Sequence, residues 1–185
     1  MTSRILSGAA VLVAVSTLSA CGLLSTQPAF DQSSLPEAVK VPAGNAVALE
    51  TVGVGEITYE CRDKKDAAGQ TEWVFVGPKA VLNDRKGKMV GSYYGPPATW
   101  ESADGSKFTG TQVAVSPAAA GNIPLQLVKA NPATGNGAFN GVTYVQRVAT
   151  VGGVAPKAEC SPATKGQKQV VQYQADYILY KASSY

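Results

Sequence analysis

The chain has 185 residues, 45% of them hydrophobic and 16% charged, with 19 Gly, 11 Pro, 3 Cys and no His. That length fits one domain with a substantial core, and the lack of histidine excludes Ser–His–Asp and Cys–His nucleophiles in their usual forms, together with His-liganded zinc, copper and non-haem iron. Sixteen basic and 13 acidic residues leave a net charge of +3, too small and too dispersed for a nucleic-acid partner.

Chain order begins with an export signal. One cation, Arg4, precedes an apolar run over residues 9–18. This run is far shorter than the roughly 20 residues of a membrane span, and charge, short apolar stretch and small residues follow one another as in a secretory signal. The run ends Leu18-Ser19-Ala20-Cys21, which resembles a bacterial lipobox: an apolar residue, two small ones, then the thiol that takes the lipid. Residues 1–20 are the predicted signal peptide and Cys21 the predicted lipidation site; a plain signal peptide with a chance cysteine is the alternative. One acyl chain holds only marginally at about 0.8 kcal/mol per buried CH₂, so lasting attachment needs more than one. Gly22 follows in place of the Asp of an inner-membrane retention signal. The expected location is therefore the bacterial outer membrane, or the outer face of the cell membrane.

Residues 21–41 are rich in Ser, Thr, Gln and Pro and hold no helix or strand period, the composition of a tether. Phe30 and Leu35 are its residues suited to docking on the domain. With Cys21 assigned to lipid, Cys61 and Cys160 remain. An even remainder in an oxidising compartment predicts a disulfide. Two thiols without His or a CxxC make a poor metal site, so no metal and no cofactor is expected.

Residues 42–185 read as a β domain. Residues 46–51 form a short apolar run. Over 56–61, Ile57, Tyr59 and Cys61 alternate with Glu56, Thr58 and Glu60, the period of a strand with one buried face. Further strands are expected at 72–76, 79–82, 88–93, 111–115, 125–130, 138–148 and 168–180. Asp104-Gly105 between Trp100 and Phe108 marks a hairpin. No helical stripe persists. About ten short strands with regular turn signals predict an all-β, single-domain antiparallel sandwich or partly closed barrel.

A set of segments in this order carries a resemblance. It comprises Val41-Pro42-Ala43-Gly44-Asn45, Gly53-Val54-Gly55 before Tyr59 and Cys61, Trp73-Val74-Phe75 with Pro78, and Thr99-Trp100-Glu101 with Asp104-Gly105-Ser106. It continues with residues 141–147, Gly152-Gly153-Val154-Ala155-Pro156, Cys160 and Ala175-Asp176-Tyr177. The set resembles the secreted bacterial and fungal proteins grouped as domain of unknown function 3455, a family without an established activity. Two positions depart from its pattern: Leu125 stands where a Trp is expected, and no His accompanies Tyr93-Tyr94. A dinucleotide fingerprint is absent, because Gly53-Val54-Gly55 continues as Glu56-Ile57-Thr58 without a third glycine.

The candidate ligand pocket is Tyr93, Tyr94, Trp100, Glu101, Tyr144, Arg147 and Asp176. Charges inside apolar strands tend to be paired or to mark a site, so Arg147 is expected against Asp176, with Glu101 as a further candidate. Tyr93-Tyr94 beside Gly95-Pro96-Pro97 is the best aromatic platform for a glycan or small molecule. Two readings follow. The first is a non-catalytic binding or structural domain, with no catalytic residues, tied to the membrane through Cys21. The alternative is an envelope glycan hydrolase using a carboxylate pair of Glu101 with Asp104 or Asp176. The clusters Arg62, Lys64, Lys65 and Arg85, Lys86, Lys88 read as solvated loops.

Overall fold

Inward and outward side chains alternate through eight strands of the computed structural model, which describes residues 30–183. The strands are β1 (Asn45–Asp63), β2 (Thr71–Asn83), β3 (Met89–Tyr94), β4 (Thr99–Ser102), β5 (Lys107–Ser116), β6 (Leu125–Ala130), β7 (Val142–Gly152) and β8 (Lys168–Ala182). Each pairs antiparallel with its neighbours in sequence, and β8 returns to β1, so one meander closes as a barrel. Closure removes the free edges that an open sheet would expose. The fold is all-β as the alternation predicts. The signal segment and Cys21 lie outside the described residues, and no helix among those described is long and apolar enough to cross a membrane.

Eight strands replace ten because two breaks in the pattern are strand interior. Residues 46–51 and 56–61 are both β1, which pairs through Gly53-Val54-Gly55 with β2 on one side and β8 on the other. Glycine weakens a strand unless something needs its space. Here Tyr177 does: a Cβ at Gly53 would lie 2.5 Å from its ring. Residues 72–76 and 79–82 are both β2, with Pro78 opposite Ile57 next to a register shift between Thr58 and Tyr59, the kind of irregularity at which a sheet tolerates proline.

The barrel interior is packed with aromatic rings. Tyr93 stacks on Trp100 at 4.6 Å between centroids, and Trp100 on Phe108 at 5.4 Å. A second core lies outside the wall. Val39, Val41, Leu127, Val148, Ile178 and Tyr180 are buried together, with Phe30, Leu35 and Tyr144 packed against them. The part of the expected tether from residue 30 to 41 thus lies along the outer face of β6–β8. Gln146 fastens it: its Nε2 donates to the Val39 carbonyl at 2.6 Å and to Gln32 Oε1 at 2.9 Å, while its Oε1 accepts from the Tyr180 hydroxyl at 2.7 Å.

Cys61 and Cys160 form the disulfide, with Cα atoms 5.5 Å apart. It ties the β7–β8 loop to the end of β1. At the opposite end of the barrel, Asp104 does more than turn a hairpin. Its carboxylate accepts from the Ser106 hydroxyl at 2.6 Å, from the Ala138 N–H at 2.7 Å and from the Ser106 N–H at 2.9 Å, joining the β4–β5 turn to the β6–β7 loop. These bonds, that from the Ser106 hydroxyl foremost, hold the Asp104 carboxyl well below the usual carboxylate range. A depressed folded-state pKa stabilises above the unfolded value of 3.8 and is lost as pH falls below it toward the folded value. Asp104→Asn is accordingly expected to lower the unfolding temperature at pH 7. The gap to the parent should narrow on acidification below pH 3.8, followed by thermal melts across that range.

Candidate functional site

Strand alternation scatters the candidate residues. Trp100 and Tyr93 point inward and belong to the core, Trp100 with 1% of its surface exposed. Tyr94 and Glu101, their immediate neighbours, point outward, and the Tyr94 hydroxyl donates to Glu101 Oε2 at 2.6 Å. That bond keeps the Tyr94 phenol protonated and raises its pKa. Tyr144 is half-buried under the docked N-terminal segment.

The expected Arg147–Asp176 pair does not form. The residues are close in register, Arg147 facing Tyr177 and Val148 facing Asp176. Their side chains leave opposite faces of the wall: Arg147 follows Val145 inward, and Asp176, between the buried Ala175 and Tyr177, points outward. Asp176 instead accepts from Arg85 Nη1 at 2.7 Å, and Arg85 Nε donates to Glu50 at 3.0 Å. Burial alone would lower the Arg85 pKa, but its hydrogen bonds to the two carboxylates outweigh it and raise the value. Arg85 is therefore a partly shielded clamp rather than a solvated loop residue. Glu50 also accepts the Phe30 N–H at 2.8 Å, which links this clamp to the start of the docked segment.

The carboxylate pair is likewise not assembled. Glu101 lies on β4 and Asp176 on β8, four strands apart in a closed ring of eight. At about 4.8 Å per strand that is roughly 19 Å along the sheet, on opposite sides of the barrel. Asp104 is engaged in its own turn.

Candidate residues line two kinds of concave region, a group of hollows on the outer face and a cavity inside the barrel. Among the hollows is an open trough of about 660 Å³, lined among others by Val54, Glu56, Pro78, Lys79, Val81, Ser92, Tyr94 and Pro96. The register explains its lining. One cross-strand row runs Val54, Val81, Ser92, Glu101 and the next runs Glu56, Lys79, Tyr94, Thr99. A depression of about 250 Å³ shares Val81 and Ser92 and adds Glu101, and another of about 260 Å³ shares Tyr94 and reaches Thr99, Lys107 and Thr109. The Tyr94–Glu101 pair stands where these hollows meet.

The cavity inside the barrel, of about 20 Å³, is lined by Ile57, Phe75, Pro78, Tyr93, Ile123, Arg147, Tyr173 and Tyr177. It lies toward the end where the disulfide and the loops 64–70, 95–98, 117–124 and 153–167 emerge. Arg147 donates from Nε and Nη2 to the Pro124 carbonyl at 3.1 and 2.9 Å. The Tyr173 and Tyr177 hydroxyls are hydrogen-bonded at 3.1 Å. Burial pushes the Tyr173 phenol up to about 12 and that of Tyr177 well above its ordinary value, while the charge of Arg147 pulls both back down. Among the described residues no group of three His, Cys, Asp or Glu side chains is placed to hold a metal.

A family model described as protein of unknown function DUF3455 matches residues 42–181. The chain belongs to the DUF3455 family. No curated protein and no solved structure matches it. The DUF3455 match takes in β1 through all but the last residue of β8, so both kinds of concave region fall within it. The docked segment from 30 to 41, with Gln32 and Val39 as its hydrogen-bonded contacts, precedes it. Within this DUF3455 barrel, three polar residues escape the sequence reading. Arg85 sits in a charged loop, and Lys79 stands alone between apolar residues. Gln146 is fully buried, and its only sequence signal is a long polar side chain within the Val-Gln-Arg-Val run.

Proposed function

We propose that this chain is an exported, lipid-anchored domain of the bacterial cell envelope that binds a glycan without transforming it. The observation that carries the reading is the Tyr94–Glu101 pair at the junction of the outer hollows. An exposed aromatic ring offers a face for sugar C–H groups. Glu101 spends one oxygen on Tyr94 and keeps the other for a ligand hydroxyl, with Glu56, Lys79 and Ser92 nearby as further hydrogen-bonding groups. The hollows extend from β1 to β5, a span that suits an oligosaccharide better than a single small molecule. The separation of Glu101 from Asp176 supports binding over hydrolysis, since glycosidases hold two carboxyls about 5–9.5 Å apart.

Anchoring would be through Cys21, on the strength of the Leu-Ser-Ala-Cys run. At about 3.4 Å per residue, the chain from Cys21 to Phe30 reaches no more than about 30 Å. The trough would then stay close to the membrane surface, where envelope glycans are met.

The test uses the mature chain extracted from membranes in mild detergent. Its mass should show a lipidated Cys21 at the N-terminus, and an envelope-glycan array should retain it. Tyr94→Ala is expected to weaken retention about tenfold, a loss of about 1.4 kcal/mol, with Glu101→Gln weakening it less. An unmodified N-terminus would overturn the anchoring, and glycan retention unaffected by Tyr94→Ala would overturn the binding site.

A further inference from the structure

Arg147 is a cation drawn into the barrel without a counter-charge. No carboxylate lines its cavity, and no acidic group among the described residues lies within salt-bridge distance of it, whereas Arg85 on the outer face is held by Glu50 and Asp176. Arg147 is partly buried rather than sealed from water, so its guanidinium is accessible to a partner of opposite charge. Arg85 shows how this protein satisfies a shielded guanidinium when the purpose is structural.

The polar groups around Arg147 are in surplus of donors. A guanidinium offers five N–H groups, and those at Nε and Nη2 that are engaged converge on one acceptor, the Pro124 carbonyl. The Tyr173 and Tyr177 hydroxyls share one hydrogen bond, which consumes one phenolic hydrogen and leaves the other. Tyr93 lines the same cavity, and its hydroxyl has no hydrogen-bond partner among the described residues. The phenols are protonated donors at neutral pH, their ordinary value of 10 being raised further by burial.

The backbone beside Arg147 is also irregular. The β7–β8 register shifts between Val148 and Val151, and Ala149 adopts a φ of 47°, a left-handed conformation that a non-glycine residue rarely adopts. Bulges of this kind re-aim neighbouring side chains and recur next to functional sites.

We propose that Arg147, Tyr93 and the Tyr173–Tyr177 pair form an oxyanion site at the barrel mouth that takes the carboxylate of a small organic acid. The size and rim choose the anion. About 20 Å³ admits one or two water-sized groups, too little for a hydrated phosphate. The planar fork of arginine matches a carboxylate bidentately. Phe75, Pro78 and Ile123 give the cavity apolar lining; of the three only Phe75 is exposed, at 51%, so the body of the acid would rest on its ring. The site shares no side chain with the Tyr94–Glu101 pair and does not depend on the glycan reading.

Thermal unfolding of the full mature chain at pH 7 and constant ionic strength tests it, with sodium benzoate as probe and sodium acetate, phosphate and chloride alongside. Benzoate should raise the midpoint saturably, as expected for a ligand of the native state, and acetate should do so more weakly. Arg147→Gln should reduce benzoate affinity by about 30-fold and Arg147→Lys by about tenfold, since the hydrogen bonds lost are charge-assisted. Tyr93→Phe should weaken it severalfold, whereas Tyr94→Ala should leave it unchanged, which separates this site from the trough. A shift that does not saturate, an equal shift in Arg147→Gln, or phosphate acting as strongly as benzoate would overturn the assignment. If Arg147→Gln fails to fold, Arg147→Lys and Tyr93→Phe decide, and parental benzoate affinity in both would overturn it.

Discussion

Removal of the Cys61–Cys160 bridge is expected to lower the unfolding free energy by about 3–4 kcal/mol, while the native barrel stays closed. The cysteines are 99 positions apart, and the chain-entropy model gives about 4.7 kcal/mol for a loop of that order. The lower figure allows for an unfolded ensemble that is already compact. The native state should change little, because the loop is held independently. Thr71 donates to the Cys160 carbonyl and Trp73 to that of Ala158, both at 2.8 Å, and backbone bonds join Cys61 to Gly166 and Gln167. The measurement is urea unfolding of a Cys61→Ser, Cys160→Ser double variant. Its midpoint should fall, and its m-value should rise because the unfolded chain exposes more surface. A loss below about 1 kcal/mol would mean that the unfolded chain was constrained by other means.

The features legible in the sequence are those set by local alternation. Ile57, Tyr59 and Cys61 declare an inward face, and β6 and β8 begin where the pattern starts. The features that escaped depend on what lies across the wall. Gly53 and Pro78 read as breaks because glycine and proline usually are. Their strand positions follow from the Tyr177 ring and from the bulge in β1–β2 pairing, neither visible along one strand. The same blindness affects the site. Tyr93 and Tyr94, or Trp100 and Glu101, are adjacent in sequence and on opposite faces in the barrel. A cluster read as one pocket therefore divides between the core and the outer trough.

The charges make the point most clearly. Arg147 and Asp176 belong to neighbouring strands, and only their facing directions part them. Arg85 reaches Asp176 because β2, β1 and β8 are consecutive in the closed sheet, an adjacency that requires the closure itself. The docked segment is a similar case. Phe30 and Leu35 are visible as apolar residues in a polar stretch, but their seat is a second core formed by outward residues of β6, β7 and β8.

Trp100→Ala should be the most damaging substitution in the core, at about 3–5 kcal/mol. Trp100 is buried between Tyr93 and Phe108 and meets Tyr177 edge-on at 6.1 Å, so its loss leaves a cavity that a closed barrel cannot easily collapse. Its indole N–H has no hydrogen-bond partner among the described residues, and an orphaned buried donor costs about 1–3 kcal/mol. Trp100→Phe removes that donor and keeps a ring, so it should recover most of the loss. Space at this position is shared with Gly110, where a Cβ would lie 2.3 Å from Val128 Cγ1 and 2.9 Å from the Trp100 ring. Gly110→Ala should therefore destabilise by about 1–3 kcal/mol through overpacking, and less when Trp100→Phe has cleared the ring edge. A double-mutant cycle by urea unfolding should give a coupling of about 1 kcal/mol; strict additivity would mean that Val128 alone sets the limit. The effect should reach the barrel mouth as well. Tyr93 stacks on Trp100 and lines the Arg147 cavity, so Trp100→Ala should weaken benzoate binding even at temperatures where the barrel remains folded.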